Sequence, residues 1–250
     1  MRFLHLSDLH LGKRVCEFSM LEEQRYILEE ILTLLDETPV DGVLLAGDLY
    51  DKPVPPAEAV RLLDWFLTQL AARKLPVFAI SGNHDSADRV AFGSALLADS
   101  RVYVSPVFTG APQPIPLQDA HGTVDVYLLP FLKPAMVRHV WPDEPIESYN
   151  DALACVLRHC TPDPGHRSLL VAHQFVAGAA ACTRGSRGLT VNCETRFLCI
   201  AQGDVLCGHA QAIHMGRTLV VMHAWVTDSQ DTLCADGTYT FRMKDGFPAE

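Results

Sequence analysis

The chain has 250 residues, 48% of them hydrophobic and 20% charged, with a formal net charge of -10 at pH 7. This length buries a substantial core, and this composition excludes a disordered chain. The acidic balance excludes holding nucleic acid by bulk electrostatics, although divalent cations in a site would reverse the sign locally and leave DNA or RNA open as a locally contacted substrate.

Phe3-Leu4-His5-Leu6 reads as a first strand, and Ser7-Asp8-Leu9-His10 follows it. The apolar N-terminal stretch is broken by His5, Asp8 and His10, which does not fit a signal peptide. Ser19 to Glu22 has capping-box spacing and predicts a helix whose buried stripe is Ile27, Ile31, Leu34 and Leu35, stopped at Thr38-Pro39. Val43 to Ala46 is too continuously apolar to be half exposed, so it predicts a buried strand, followed by Gly47-Asp48. Pro55-Pro56 opens a second helix with Val60, Leu63, Leu67 and Leu70 on one face. Val77 to Ile80 is the third strand, followed by Gly82-Asn83-His84-Asp85 and a helix from Asp88 to Ala98.

This alternation predicts an α/β fold with parallel strands and crossover helices. Four prolines between Ser105 and Pro116 predict a loop. Val124–Leu129 and Ser168–Ala172 are later strands, with a helix from Tyr149 to Cys160 between them, and His173 follows the second. Val205–Cys207 and Leu219–Met222 are two further candidates, Gly208-His209 following the first. No segment has the length of a membrane span. Eight cysteines, seven of them after residue 150, include no C-x-x-C pair. That excludes a zinc ribbon or thioredoxin-like motif and fits reduced thiols in the cytoplasm.

Asp8, Asp48, Asn83, His173 and His209 each fall just beyond a predicted strand end. In open α/β sheets that edge is where the ligand crevice lies. Asp and His are costly there unless something neutralises or ligates them. Asp8 and His10 share one face of an extended segment. The carboxylate of Asp48 has two oxygens and can bridge two cations, and Asn83 adds a neutral oxygen. Oxygen and nitrogen donors without thiolates suit manganese, iron or zinc better than calcium. Two such ions about 3.5–4 Å apart clamp the attacking and leaving oxygens of a phosphoester.

The order D-x-H, G-D-x-x-D, G-N-H-D, H, G-H resembles that of the calcineurin-like metallophosphoesterases. The wording of the blocks is similar to SbcD, the family of nuclease subunits of bacterial SbcCD complexes: Leu6 to Gly12, Ala46 to Asp51, Ile80 to Ser86 and Ala172 to Gly178. The likeness is dense from Met1 to about Gly178, and residues 179–250 diverge within what is expected to be one domain. The resemblance implies a two-sheet β-sandwich flanked by helices in α-β-β-α layers, and manganese-dependent cleavage of DNA phosphodiesters in repair and recombination. It implies Asp8, His10 and Asp48 on a first metal, and Asp48, Asn83, His173 and His209 on a second. His84 would be the catalytic histidine, with the Asp51 carboxylate orienting it. It also implies an SbcC-like coiled-coil ATPase as partner if a docking region is supplied elsewhere, since the family's DNA-capping and ATPase-docking regions are not recognised here, and a second copy of the chain stays open as a partner.

The pattern departs at one position. The family's last motif is G-H-x-H, whereas this chain reads Gly208-His209-Ala210-Gln211. Gln211 is a weaker ligand than imidazole, with His214 and His223 nearby as substitutes. Three readings follow: a DNA nuclease of the SbcD type, a stand-alone phosphoesterase acting on a small substrate, or a diverged copy with one weakened metal site and little turnover.

Overall fold

The computed structural model describes residues 1–174, 188–197, 207–216 and 219–243. The chain divides into two compact units, Met1–Gln174 and Phe175–Glu250.

In the first unit β1 (Phe3–Leu6) leads into a short hairpin, β2 (Arg14–Val15) and β3 (Phe18–Ser19). Helix α1 (Leu21–Glu37), β4 (Gly42–Ala46), α2 (Ala57–Ala72) and β5 (Val77–Ile80) follow, then α3 (Ala87–Val90), α4 (Ser94–Ala98) and β6 (Val102–Val104). The four longer strands form a parallel sheet in the order β1-β4-β5-β6. A second sheet joins β7 (Pro114–Asp119) antiparallel to β8 (Gly122–Leu129), and β9 (Arg167–Ala172) parallel to β8. Helices α5 (Pro134–Val140) and α6 (Tyr149–His159) lie between β8 and β9 in sequence.

The two-residue period of the strands assigns their faces. Val43 and Leu45 of β4 and Val77 and Ala79 of β5 pack with Leu28 and Leu32 of α1 and Leu62, Phe66 and Leu70 of α2. The alternate residues Leu44, Ala46, Phe78 and Ile80 turn the other way and share a cluster with Val124, Val126 and Leu128 of β8 and Val171 of β9. Leu129 then packs with Val137 of α5 and Ala152, Cys155 and Val156 of α6. Strands buried on both faces explain why these segments read as unbroken apolar runs.

Several local expectations are corrected. Ser19 lies in β3, paired with Arg14, so it does not cap α1, and Met20 takes the N-cap position without a side-chain bond. The buried stripe of α1 is Leu28, Leu32 and Leu35, whereas Ile27 and Leu34 are about half exposed at 54% and 49%. On α2 the buried residues are Ala59, Leu62, Leu63, Phe66 and Leu70, and Val60 is exposed. Residues 88–98 form two short helices separated by Gly93, whose φ is 72°. Pro114 and Pro116 fall inside β7, an edge strand, where a missing N–H is tolerated.

The second unit holds β10 (Gly188–Phe197), β11 (Cys207–Met215), β12 (Leu219–Thr227) and β13 (Leu233–Met243) in one antiparallel sheet, in the order β10-β13-β12-β11. Gly208-His209 therefore lies inside a nine-residue strand and not beyond a strand end. No described helix is long and apolar enough to cross a membrane. Cys16, Cys155, Cys160 and Cys207 are free thiols, and the side chains of Cys182, Cys193 and Cys199 lie outside the described residues.

Candidate metal centre

Because β1, β4 and β5 are adjacent and parallel, the loops that leave their C-terminal ends are neighbours. The loop after β1 continues the strand pairing past the sheet: the Asp8 N–H donates to the Gly47 carbonyl at 3.1 Å, His10 N–H to the Asp48 carbonyl at 2.9 Å and Leu11 N–H to the Leu49 carbonyl at 2.9 Å. The loop after β5 is tied to the loop after β4 by side chains. The carboxylate of Asp85 accepts the N–H groups of Gly82 at 2.8 Å, Tyr50 at 2.9 Å and Leu49 at 3.0 Å. The buried carboxylate of Asp48 accepts the His84 N–H at 2.9 Å. Burial pushes the Asp85 carboxyl up, the three N–H groups hold it down, and Asp48 pushes it up further. Burial, then the charge of Asp85, pushes the Tyr50 phenol up to about 12.

Three of the expected ligands sit on left-handed backbone: Asp8 at φ 57°, His10 at 43° and Asp48 at 50°. Such conformations cost about 1–3 kcal/mol each and persist where surrounding bonds over-determine them. Here the loop-to-loop hydrogen bonds do so. Glycine is required at two approaches. A Cβ on Gly47, whose φ is 89°, would lie 2.6 Å from the His173 ring, and one on Gly82 would lie 2.1 Å from Asp48 Oδ1.

The donors converge on Asp48. Its Oδ2 lies 3.4 Å from His173 Nε2 and 3.7 Å from His10 Nε2, which is also 3.7 Å from Asp8 Oδ1. Asp8, Asp48 and His173 bring one ligand atom each within 4.8 Å of one another, and so do His10, Asp48 and His84. Asp48 is common to both groups, the place a bridging carboxylate occupies. The other members divide differently from the expected ligand sets, His173 beside Asp8 and His84 beside His10. Asn83 is held between Gly82 and His84, both of which contact Asp48.

Hydrogen-bond chemistry shows that the residues fit divalent metals. His173 Nδ1 lies 2.7 Å from the Ala46 carbonyl, which only accepts, so Nδ1 carries a proton and Nε2, 3.4 Å from Asp48 Oδ2, is the nitrogen that would ligate. A carbonyl behind the ring is the arrangement that fixes a metal-ligating histidine. His84 Nδ1 is likewise 3.1 Å from the Asp51 carbonyl. The orienting contact for His84 therefore comes from the main chain of Asp51 and not from its carboxylate, which instead lies 3.8 Å from His10 Nδ1. Asp85 clamps two motif loops together, a role that sequence reasoning misses; its only signal there is its place at the end of G-N-H-D.

Both donor groups come from the first unit. In the second unit the His209 ring stacks on Trp225 with centroids 5.1 Å apart, and its Nε2 lies 3.3 Å from Thr227 Oγ1. Gln211 is exposed on β11 opposite His223, and His223 stacks on Trp225 and lies 3.4 Å from Asp236. A further trio, Glu144, Cys155 and His159, has its donors engaged: Glu144 with Arg158 at 2.7 Å, and His159 Nδ1 with the Cys155 carbonyl at 3.0 Å.

The chain belongs to the calcineurin-like phosphoesterase family, whose model matches residues 1–210. The family hydrolyses phosphoester bonds with divalent metals, and the donor set around Asp48 suits that chemistry. Solved structures with a partial likeness include a Bacillus halodurans protein with CoA, at TM-score 0.24 and 22% identity, covering 26% of this chain and 45% of that one. A hypothetical thioesterase with coenzyme A from Streptococcus pneumoniae has TM-score 0.24 and 25% identity, covering 26% of this chain and 51% of that one. A Streptococcus mutans protein bound to acetyl CoA has TM-score 0.24 and 21% identity, covering 28% and 56%. The chain thus spans about half the length of the solved structures it matches.

Proposed function

We propose that the first unit, read as a two-sheet sandwich between helical layers, is a two-metal phosphodiesterase that cuts DNA, a nuclease of the SbcD type. The observation that carries this reading is the buried Asp48 carboxylate, shared by two donor groups at the ends of adjacent parallel strands. Asp8 and His10 would hold a first ion with Asp48. Asn83 and His173 would hold a second, and manganese fits these oxygen and nitrogen donors. Ions held there would supply positive charge for the scissile phosphate and a water of lowered pKa. His84, with Nδ1–H fixed by the Asp51 carbonyl, presents Nε2 as the atom that gives a proton to the leaving oxygen.

Ligation by His209 and by Gln211 is a separate part of the proposal, as are a cytoplasmic location, an SbcC-like ATPase and a second copy of the chain as partners. Manganese-supported digestion of linear duplex and single-stranded DNA, run beside p-nitrophenyl phosphate esters, tests the substrate. Loss of DNA length with two bound ions per chain supports the nuclease. Ester turnover with intact DNA supports the small-substrate reading that the net charge of -10 favours. A single ion without turnover of either supports the weakened copy that Gln211 suggests.

A further inference from the structure

Helix α1 reaches the loop after β1 through one side chain. Gln24, half-buried in the first turn of α1, donates from Nε2 to the carbonyls of Leu9 at 3.1 Å and His10 at 2.8 Å, and its Oε1 accepts the Gly12 N–H at 3.0 Å. The three bonds bracket His10. They do so where the backbone enters the left-handed region three times in five residues, at Asp8, His10 and Gly12. Main-chain bonds to the loop after β4 take up the N–H groups of Asp8, His10 and Leu11. Gln24 takes up the carbonyls of Leu9 and His10 in the same loop, and the His10 carbonyl also accepts the Lys13 N–H at 3.0 Å.

The three histidines of the site are held differently. The rings of His173 and His84 are each fixed by a carbonyl at Nδ1. The Nδ1 atom of His10 is buried without a hydrogen-bond partner. The Asp51 carboxylate, 3.8 Å from Nδ1, is beyond hydrogen-bond reach, and the ring meets His84 only edge-on with centroids 4.8 Å apart, so the aim of Nε2 at Asp48 is set chiefly by the backbone of His10. We propose that Gln24 is the positioning residue of the first metal site: it locks the main chain of His10 in the conformation that points Nε2 at Asp48. A carboxamide suits the task because it gives two donors and one acceptor at once. Glutamate keeps only the acceptor, and methionine keeps the length and shape with neither.

The inference rests on the two-metal reading, and the experiment separates the two. Manganese is titrated calorimetrically into the full-length wild type, Gln24→Met, Gln24→Glu and Asp8→Ala, with thermal midpoints of the metal-free proteins measured alongside. Asp8→Ala identifies the binding event that belongs to the first site. Both Gln24 variants are expected to weaken that event by about 10–100-fold, the usual effect of removing a group that orients a ligand. The other event stays at its wild-type affinity, and the metal-free midpoint of Gln24→Met stays close to wild type. Wild-type affinity for both ions in Gln24→Met overturns the inference alone. So does equal weakening of both events with a lowered midpoint, which marks a structural role. A wild type that binds no manganese overturns the two-metal reading itself.

Discussion

Substituting Gly82 by alanine places a methyl group where the structure has no room for one. The added Cβ would sit 2.1 Å from Asp48 Oδ1 and 2.3 Å from Asp48 N, against an ordinary contact that begins at 3.4 Å. One motif must therefore move by more than an ångström, and the backbone nitrogen cannot swing aside as a flexible side chain does. The backbone of Gly82 is not left-handed, so the effect is steric and falls on the carboxylate shared by both donor groups. Overpacking of this kind destabilises by about 1–3 kcal/mol, and misplacing a reacting group by about 1 Å costs on the order of 100-fold in rate. Gly93→Ala is the control. Its φ is 72° and nothing lies within 4 Å of the added Cβ, so it bears backbone strain of about 1–2 kcal/mol without touching the site. Calorimetric manganese binding, turnover of bis-p-nitrophenyl phosphate and thermal midpoints distinguish the two. Gly82→Ala loses affinity and rate, whereas Gly93→Ala loses only stability. Wild-type metal affinity in Gly82→Ala would refute the packing of the loop after β5 on Asp48.

His84→Gln retains both metals and loses turnover, measured by metal content and by ester hydrolysis; loss of the metals as well would make His84 a structural or ligating residue. Asp85→Asn leaves at least one of three buried N–H groups without its acceptor and lowers stability by about 1–3 kcal/mol in urea unfolding, and an unchanged midpoint would show that the clamp is dispensable. His166 Nδ1 lies 2.9 Å from Asp125 Oδ2, and that hydrogen bond raises the imidazole above its ordinary 6.5. Its contribution is complete below that value and is lost as pH rises through the raised one, so thermal midpoints of wild type fall over this interval and those of Asp125→Asn do not. A parallel decline in both proteins rejects the pairing. Gln211→His tightens the first metal in a manganese titration if Gln211 is a ligand there, and unchanged affinity removes it from the set.

The strands of the first unit were legible because burial on both faces leaves no polar break in Val43–Ala46 or Val77–Ile80. The loops after β1, β4 and β5 were legible as a candidate metal site because Asp and His at the end of a buried strand are costly unless a counter-charge or a metal takes them up. Helix faces were less so. On α1 the expected set Ile27, Ile31, Leu34 and Leu35 and the buried set Leu28, Leu32 and Leu35 both have helical spacing and share Leu35, and packing against α2 and the sheet selects the second. The Ser19 cap failed because strand pairing in the β2–β3 hairpin occupies that residue first. The left-handed backbone of Asp8, His10 and Asp48 has no marker in residue type strong enough to read. The role of Asp51 was misplaced for a related reason, since a main-chain carbonyl is present at every position and composition does not show which one a ring will find. Gly208-His209 looked like a strand end because it follows the apolar run Val205–Cys207, yet pairing with β12 carries the strand through it.

One buried carboxylate serving two metals is the feature on which the proposed chemistry depends. Manganese stoichiometry of the wild type and of Asp48→Asn, measured by equilibrium binding on the metal-free proteins, is the decisive test of it. Two ions per chain are expected in the wild type, with loss or severe weakening of both in Asp48→Asn, because the amide removes the charge that the two sites share. A wild type with one ion, or an Asp48→Asn protein that loses one ion and keeps the other at full affinity, would contradict a shared carboxylate.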